Sequence, residues 1–129
     1  MAINFERALS VHGQAMQLRS RRAEILASNL ANADTPNYRA RDLDFQATLE
    51  GLQGREGALK ATHAGHLQAR GDSAGRLLYR TPAQMAIDGN TVEEEQEKAA
   101  FADNALRYQA SVQFMGNRVR GLLSAIRVE

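Results

Sequence analysis

Ser28-Asn29-Leu30-Ala31-Asn32-Ala33-Asp34-Thr35-Pro36-Asn37-Tyr38-Arg39-Ala40-Arg41 decides how this chain is organised. The residues before it read as one long helix, and those after it read as something else. The ring of Pro36 pushes Thr35 out of the α region. Pro36 itself has no N–H to continue a helical ladder. The first helix is therefore expected to end near Ala33 or Asp34. Asn37 suits a turn, because its side chain can bond its own backbone and tolerate positive φ. Asn29 and Asn32 are three apart and share one helical face. Two readings of that face stay open: a solvated, fraying last turn, or amides that bond a partner chain.

Working back towards the N-terminus, Leu9, Met16, Ala23 and Leu30 recur every seven residues. Val11, Leu18 and Ile25 make a second such row, and Phe5, His12, Arg19 and Leu26 a third. Together they give a broad, imperfect apolar face over Ile3 to Ala33. Only Gly13 interrupts good helix formers. Such a helix is about 45 Å long. Arg19, Arg21 and Arg22 form a small basic patch. It reads as a solvated or ion-paired face, since no aromatic interleaves it as a nucleic-acid surface would require.

Beyond Pro36, Tyr38, Leu43 and Phe45 alternate loosely with charged residues, as an extended segment with a few anchors would. Asp44 to Glu50 suits a short helix. Glycine then becomes frequent, at Gly51, Gly54, Gly57, Gly65, Gly71, Gly75 and Gly89, which favours loops. Leu77-Leu78-Tyr79-Arg80 is a brief strand candidate. His63 and His66 have H-x-x-H spacing, but Gly65 between them argues against the helix that would turn both to one metal. They read as two loop histidines.

Asp88-Gly89-Asn90 is a turn signal. Asn90 or Thr91 is then expected to cap a helix. Glu93, Glu94, Glu95 and Glu97 crowd its first turns, where the helix dipole favours negative charge, and such a run reads as a solvated face. Further on, Phe101, Ala105, Tyr108, Val112, Met115, Val119, Leu122 and Ile126 keep 4-3-4-3 spacing. That is a narrow coiled-coil seam. The helix from Val92 to Ile126 is about 50 Å long. Gly116 and Gly121 lie off the seam, either where a neighbouring chain comes close or on a face that simply tolerates them.

Composition narrows the function classes. The 129 residues suit one modest domain. Hydrophobic content is 43%, but aromatic content is 5% and tryptophan is absent, so a core of bulky side chains is not expected. A net charge of +1 gives no strong field for nucleic acid or anionic lipid. The absence of cysteine removes disulfides, thiolate catalysis and zinc–cysteine sites. No apolar run reaches the roughly 18 residues of a membrane span. The N-terminal residues show no pattern of a cleaved secretory signal. No phosphate loop, G-x-S-x-G or metal-ligand cluster appears. The best acidic pair, Asp42 and Asp44, would point to opposite sides of an extended segment. No enzyme and no cofactor are expected.

The run Leu30 to Tyr38 also resembles the N-L-A-N-x-x-T-P-x-Y signature of bacterial flagellar rod and hook proteins, within which the chain is most similar to the basal-body rod family. Asp88-Gly89-Asn90-Thr91-Val92, Ala105-Leu106-Arg107-Tyr108-Gln109-Ala110-Ser111, Phe101 and the Arg120-Gly121-Leu122-Leu123 ending agree with it. The resemblance implies a structural subunit of the axial drive shaft, which transmits torque around an export channel. It implies partners in self, other rod proteins, the basal adaptor FliE and the flagellar type III export apparatus. It places the protein in the periplasmic rod of the basal body, exported without a cleaved signal.

The expected fold is mainly α: long N- and C-terminal helices paired as an antiparallel coiled coil, with an irregular Gly-rich middle holding little or short β structure. The expected division is 1–34 (first helix), 35–90 (loop-rich middle) and 91–129 (last helix). Expected assembly residues are Asn29, Leu30, Asn32, Pro36 and Tyr38, together with the seam. Other classes with the same helices are a small cytosolic adaptor or export chaperone, which should be a soluble small oligomer. A nucleic-acid binder using Arg19 to Arg22 should instead bind with steep salt dependence.

Overall fold

The computed structural model describes residues 5–54, 75, 77–84 and 86–127. The H-x-x-H pair and most of the glycine-rich middle lie outside the described residues. The order of elements is α1 (Phe5–Ala31), β1 (Arg41–Leu43), α2 (Phe45–Gly54), β2 (Leu77–Tyr79) and α3 (Glu94–Ile126). The molecule is mainly helical. Asn29 bonds Glu97, the Asn104 amide donates to the Arg19 carbonyl, and Gly13 lies opposite Met115. Rising numbers in α1 thus meet falling numbers in α3, so the two helices pass in opposite directions.

α1 stops at Ala31, earlier than Pro36 alone requires. The chain tightens there, with Asn32 N–H bonding the Asn29 carbonyl at 3.0 Å and Ala33 N–H the Leu30 carbonyl at 3.2 Å. Bonds to the third residue back are the usual way for a helix end to use its last carbonyls. Asn37 takes φ 59°, the left-handed conformation its side chain tolerates. The chain then runs straight into β1.

β1 and β2 form a two-stranded antiparallel sheet with Arg41 opposite Tyr79, Asp42 opposite Leu78 and Leu43 opposite Leu77. α2 starts because Asp44 caps it: its carboxylate accepts from Ala47 N–H at 3.1 Å. Arg19 of α1 lies over the Phe45 ring, 4.5 Å from its centre, and pins α2 to α1.

α3 begins at Glu94, two residues later than expected. Neither Asn90 nor Thr91 is its cap. Glu93 holds that position, with no side-chain bond to the helix, because its carboxylate accepts from Ala83 N–H and Gln84 N–H instead. Asn90 and Thr91 serve other segments.

The apolar core is thin: Leu18, Leu26, Ala40 and Leu43 are the buried hydrophobic residues described. α3 contributes Glu97, Asn104 and Ser111 to the interior, spaced by seven. This polar line lies deepest against α1, with the apolar seam beside it, of which Met115 comes against Gly13. A helix turns about 100° per residue, so the centre of the seam sits about 50° round the helix from it. The rotation follows from Glu97, whose partners, Asn29 on α1 and Arg80 just after β2, hold the helix at this angle.

Candidate functional site

The signature stretch closes a polar junction where both helices and the sheet meet. Asn29 is at its centre and is fully buried. Its Nδ2 donates to the Arg41 carbonyl at 2.7 Å and to Glu97 Oε2 at 3.2 Å. Its Oδ1 accepts from Arg41 N–H at 3.1 Å and from the Tyr38 hydroxyl at 3.4 Å. One carboxamide thereby holds both backbone groups of Arg41, and its full bonding capacity is used.

From Glu97 the contacts continue as alternating charges. Glu97 Oε1 accepts from Arg80 Nη1 at 2.7 Å, and Arg80 Nη2 pairs with Asp42 Oδ2. Asp42 also takes a two-pronged contact from Arg22, at 2.8 and 2.9 Å. Burial pushes the Asp42 carboxyl up. The Arg22 hydrogen bonds, the Leu43 N–H, the Arg22 charge and Arg80 outweigh that and hold it below the usual carboxylate range. The Asp42 contact in turn holds Arg22 above its ordinary value, against burial. Paired and hydrogen-bonded charges of this kind fix one arrangement more than they add net stability.

A second cluster seals the end of α1. Asn90 Nδ2 donates to the carbonyls of Asn32, Ala33 and Thr35 at 3.1, 2.6 and 3.0 Å. Asn90 Oδ1 accepts from Val92 N–H, and Thr91 bonds Tyr38 and Ala40 on either side. Asn37 N–H reaches the Asp88 carbonyl at 3.0 Å. Gly89, at φ 75°, leaves room for the Asn37 side chain that a Cβ would crowd at 2.7 Å. Thus the DGNT turn clasps the LANADTPN turn, and the two most recognisable stretches of the sequence form one structural unit.

The expected site residues divide into two groups. Asn29 sits inside the junction and Tyr38 bonds it there, while Leu30 is half-buried in the last turn of α1. Asn32 stays local, donating to the Ser28 carbonyl and accepting from the Thr35 hydroxyl, and Pro36 is exposed. Among the seam residues, Phe101, Tyr108, Val112 and Val119 are between 37% and 44% exposed and Ile126 is 59% exposed. Ala105 is exposed too, while Met115 and Leu122 are half-buried. They share one stripe of α3 that the rest of the chain leaves largely open.

Composition and spacing miss Glu97, Arg80, Asp42 and Arg22 as a set. The acidic run at the start of α3 is not wholly solvated, since Glu97 is 0% exposed. Its position in register with Asn104 and Ser111 is the one sequence signal that points to this. Asp42 and Asp44 do separate, one into the ion pairs and one onto the start of α2. Among the described residues, no group of three or more His, Asp or Glu could hold a metal, and no helix is long and apolar enough to cross a membrane. The junction is a clamp between segments, built of side chains already bonded to one another.

Residues 9–39, most of α1 and the turn after it, match the family described as flagella basal body rod protein. The class is therefore a rod protein of the bacterial flagellum. Over the full length, the chain is 44% identical to the flagellar basal body rod protein FlgB of Aeromonas hydrophila, covering 100% of this chain and 99% of that one. It is 48% identical to the FlgB protein of a Cereibacter sphaeroides strain (97% and 98% covered) and 42% identical to that of Salmonella typhimurium (98% of each). The chain belongs to the FlgB family of flagellar basal body rod proteins and is a structural rod subunit.

Proposed function

We infer that the chain assembles through its two terminal helices, paired as an antiparallel coiled coil, into the axial shaft that transmits torque and encloses the export channel. The observation that carries this reading is the exposed apolar stripe on α3. Among the described residues the buried hydrophobic side chains are Leu18, Leu26, Ala40 and Leu43, a thin core for an isolated chain. Surplus apolar helix surface marks a site of association. The units 1–34, 35–90 and 91–129 then have distinct tasks: the outer two build the shaft wall, and the middle one, through the junction, fixes their relative position. The role is mechanical and not enzymatic.

Other rod proteins, the adaptor FliE and the flagellar export apparatus are the partners of this reading, and the periplasmic part of the basal body is its location. The test is a strain in which this chain is the sole copy of its rod subunit. Basal bodies isolated from it should contain the chain, and a density map should show paired helices lining the channel at the rod base. Intact rods from which the chain is missing would overturn the reading.

A further inference from the structure

The two edges of the β1–β2 sheet are unlike. Arg80 N–H bonds the Ala40 carbonyl at 2.9 Å, so in this register Asp42 and Leu78 also turn their backbone groups towards each other. Arg41, Leu43, Leu77 and Tyr79 turn theirs outwards. On β1 the Asn29 carboxamide takes both outward groups of Arg41, and Asp42 Oδ1 accepts from Leu43 N–H. On β2 the N–H and C=O of Leu77 and of Tyr79 have no hydrogen-bond partner among the described residues. Edge strands that stay single are commonly guarded by a charge, a proline or a bulge. β2 is Leu-Leu-Tyr, with all three side chains exposed. Such an edge is a template for another strand.

The pattern of open groups selects the strand that fits. An antiparallel copy of β2 centred on Leu78 sets Leu77 of each chain opposite Tyr79 of the other. Every open N–H then meets an open C=O, and none is left over. Leu78 faces its own copy across the axis, and Tyr79 packs beside Leu77 of the second chain. A pair centred on Leu77 would need Gly75 opposite Tyr79, but Gly75 is at φ 83° and is not extended. A pair centred on Tyr79 would use residues beyond the end of the strand.

We propose that the open edge of β2 binds β2 of a second copy, as a two-fold antiparallel pair formed by the chain before it joins the shaft. The pair itself rests on the strand register. Its assignment to the unassembled chain rests on the reading of the protein as a shaft subunit. A two-fold contact turns its chains in opposite directions and closes after two, whereas the copies in a drive shaft share one direction. A three-residue edge is far below the roughly 800 Å² per partner of a standard stable interface. The pair therefore forms at high concentration and comes apart when the contacts of the shaft compete for the chain.

The chain has no cysteine, so an introduced one reports the contact without background. Across the axis the two copies of residue 78 would lie about 4.5 Å apart at Cα, a span a disulfide bridges. The two copies of residue 77 would lie about 8 Å apart, beyond its reach. Purified Leu78→Cys should therefore cross-link to a dimer under mild oxidation, and Leu77→Cys should stay monomeric. In sedimentation the wild-type dimer share should rise with concentration. Leu78→Lys sets two ammonium groups on the axis and should weaken association at least about tenfold, with helicity unchanged. A wild-type chain that is monomeric up to its solubility limit, with no dimer from Leu78→Cys, would overturn the proposal. Equal cross-linking of Leu77→Cys and Leu78→Cys would mean unspecific collision and overturn it too. Loss of Leu78→Lys from basal bodies that hold the wild-type chain would make the edge a shaft contact and overturn its assignment to the unassembled chain. Absence of the wild-type chain from basal bodies would overturn the shaft reading and that assignment, while the cross-link still decides the pair.

Discussion

The Asn29 amide donates to the Glu97 carboxylate at 3.2 Å across 68 residues of chain, and both side chains are fully buried. This contact ties the end of α1 to the first turns of α3. Because Asn29 also holds Arg41, it sets where β1 leaves the first helix. Asn29→Ala should therefore cost more than a helix-end amide normally does. It leaves the Arg41 backbone and Glu97 short of partners, and we expect a loss of roughly 2–3 kcal/mol in unfolding free energy. Asn32→Ala removes only bonds within its own turn and should cost under about 1 kcal/mol. Equal losses for the two variants in chemical denaturation would refute the central place given to Asn29.

Asp42 makes stability depend on acid. Its pKa is lower in the folded chain than in the unfolded one, because Arg22 and Arg80 prevail over burial. Its contribution is complete above the unfolded value of about 3.9 and is lost as pH falls through that value towards the folded one. The protein should thus hold its stability at this site down to about pH 5 and lose it steadily below about pH 4. Asp42→Asn should lower stability at neutral pH and flatten the acid limb. Thermal unfolding followed over pH decides it: an unchanged acid limb in the variant would locate the sensitivity elsewhere.

Much of this architecture is legible in the sequence, and the reason is periodicity. The seven-residue rows of α1 and the unbroken spacing in α3 depend on local geometry, and both helices lie where those patterns run. Pro36 and Asn37 announce the turn, and Leu77 to Arg80 announces β2. The junction is harder to read because its members are far apart in sequence and each looks ordinary alone. Arg22 belongs to a basic patch, Glu97 to an acidic run and Arg80 to the end of a weak strand. Only the fold brings them together. The rotation of α3 is hidden for the same reason: apolar spacing identifies a stripe, while the ion pair of Glu97 with Arg80 selects which line faces α1.

The glycines of the chain should respond in opposite ways. Gly89 is at φ 75° and a Cβ would meet the Asn37 side chain. Gly89→Ala should cost about 1–3 kcal/mol through backbone strain and loosen the clasp on the LANADTPN turn. Gly121 lies in the C-terminal part of α3, where an added Cβ would meet, among the described residues, nothing within 4 Å beyond its own helix backbone. Gly121→Ala should gain up to about 1 kcal/mol of helix stability in the free chain. Circular dichroism of both variants tests the pair. If Gly121→Ala is more helical when free yet fails to enter basal bodies, a neighbouring chain comes close at that point. If it assembles normally, the position is an open face.

Val112 tests the stripe on α3. It is 44% exposed, so an aspartate there would still reach water in the single chain. The change costs some helix propensity, and surface substitutions of this kind shift stability by under about 1 kcal/mol. In a packed shaft the same carboxylate would be enclosed by apolar side chains without a counter-charge, which costs several kcal/mol. The free and assembled states should therefore give opposite answers. Purified Val112→Asp should match the wild type in helicity and unfolding midpoint, while cells that depend on it should be non-motile and their basal bodies should lack the chain. A Val112→Asp strain that swims normally would show that the stripe stays in water in the finished rod, and the assembly role given to Phe101 through Ile126 would fall with it.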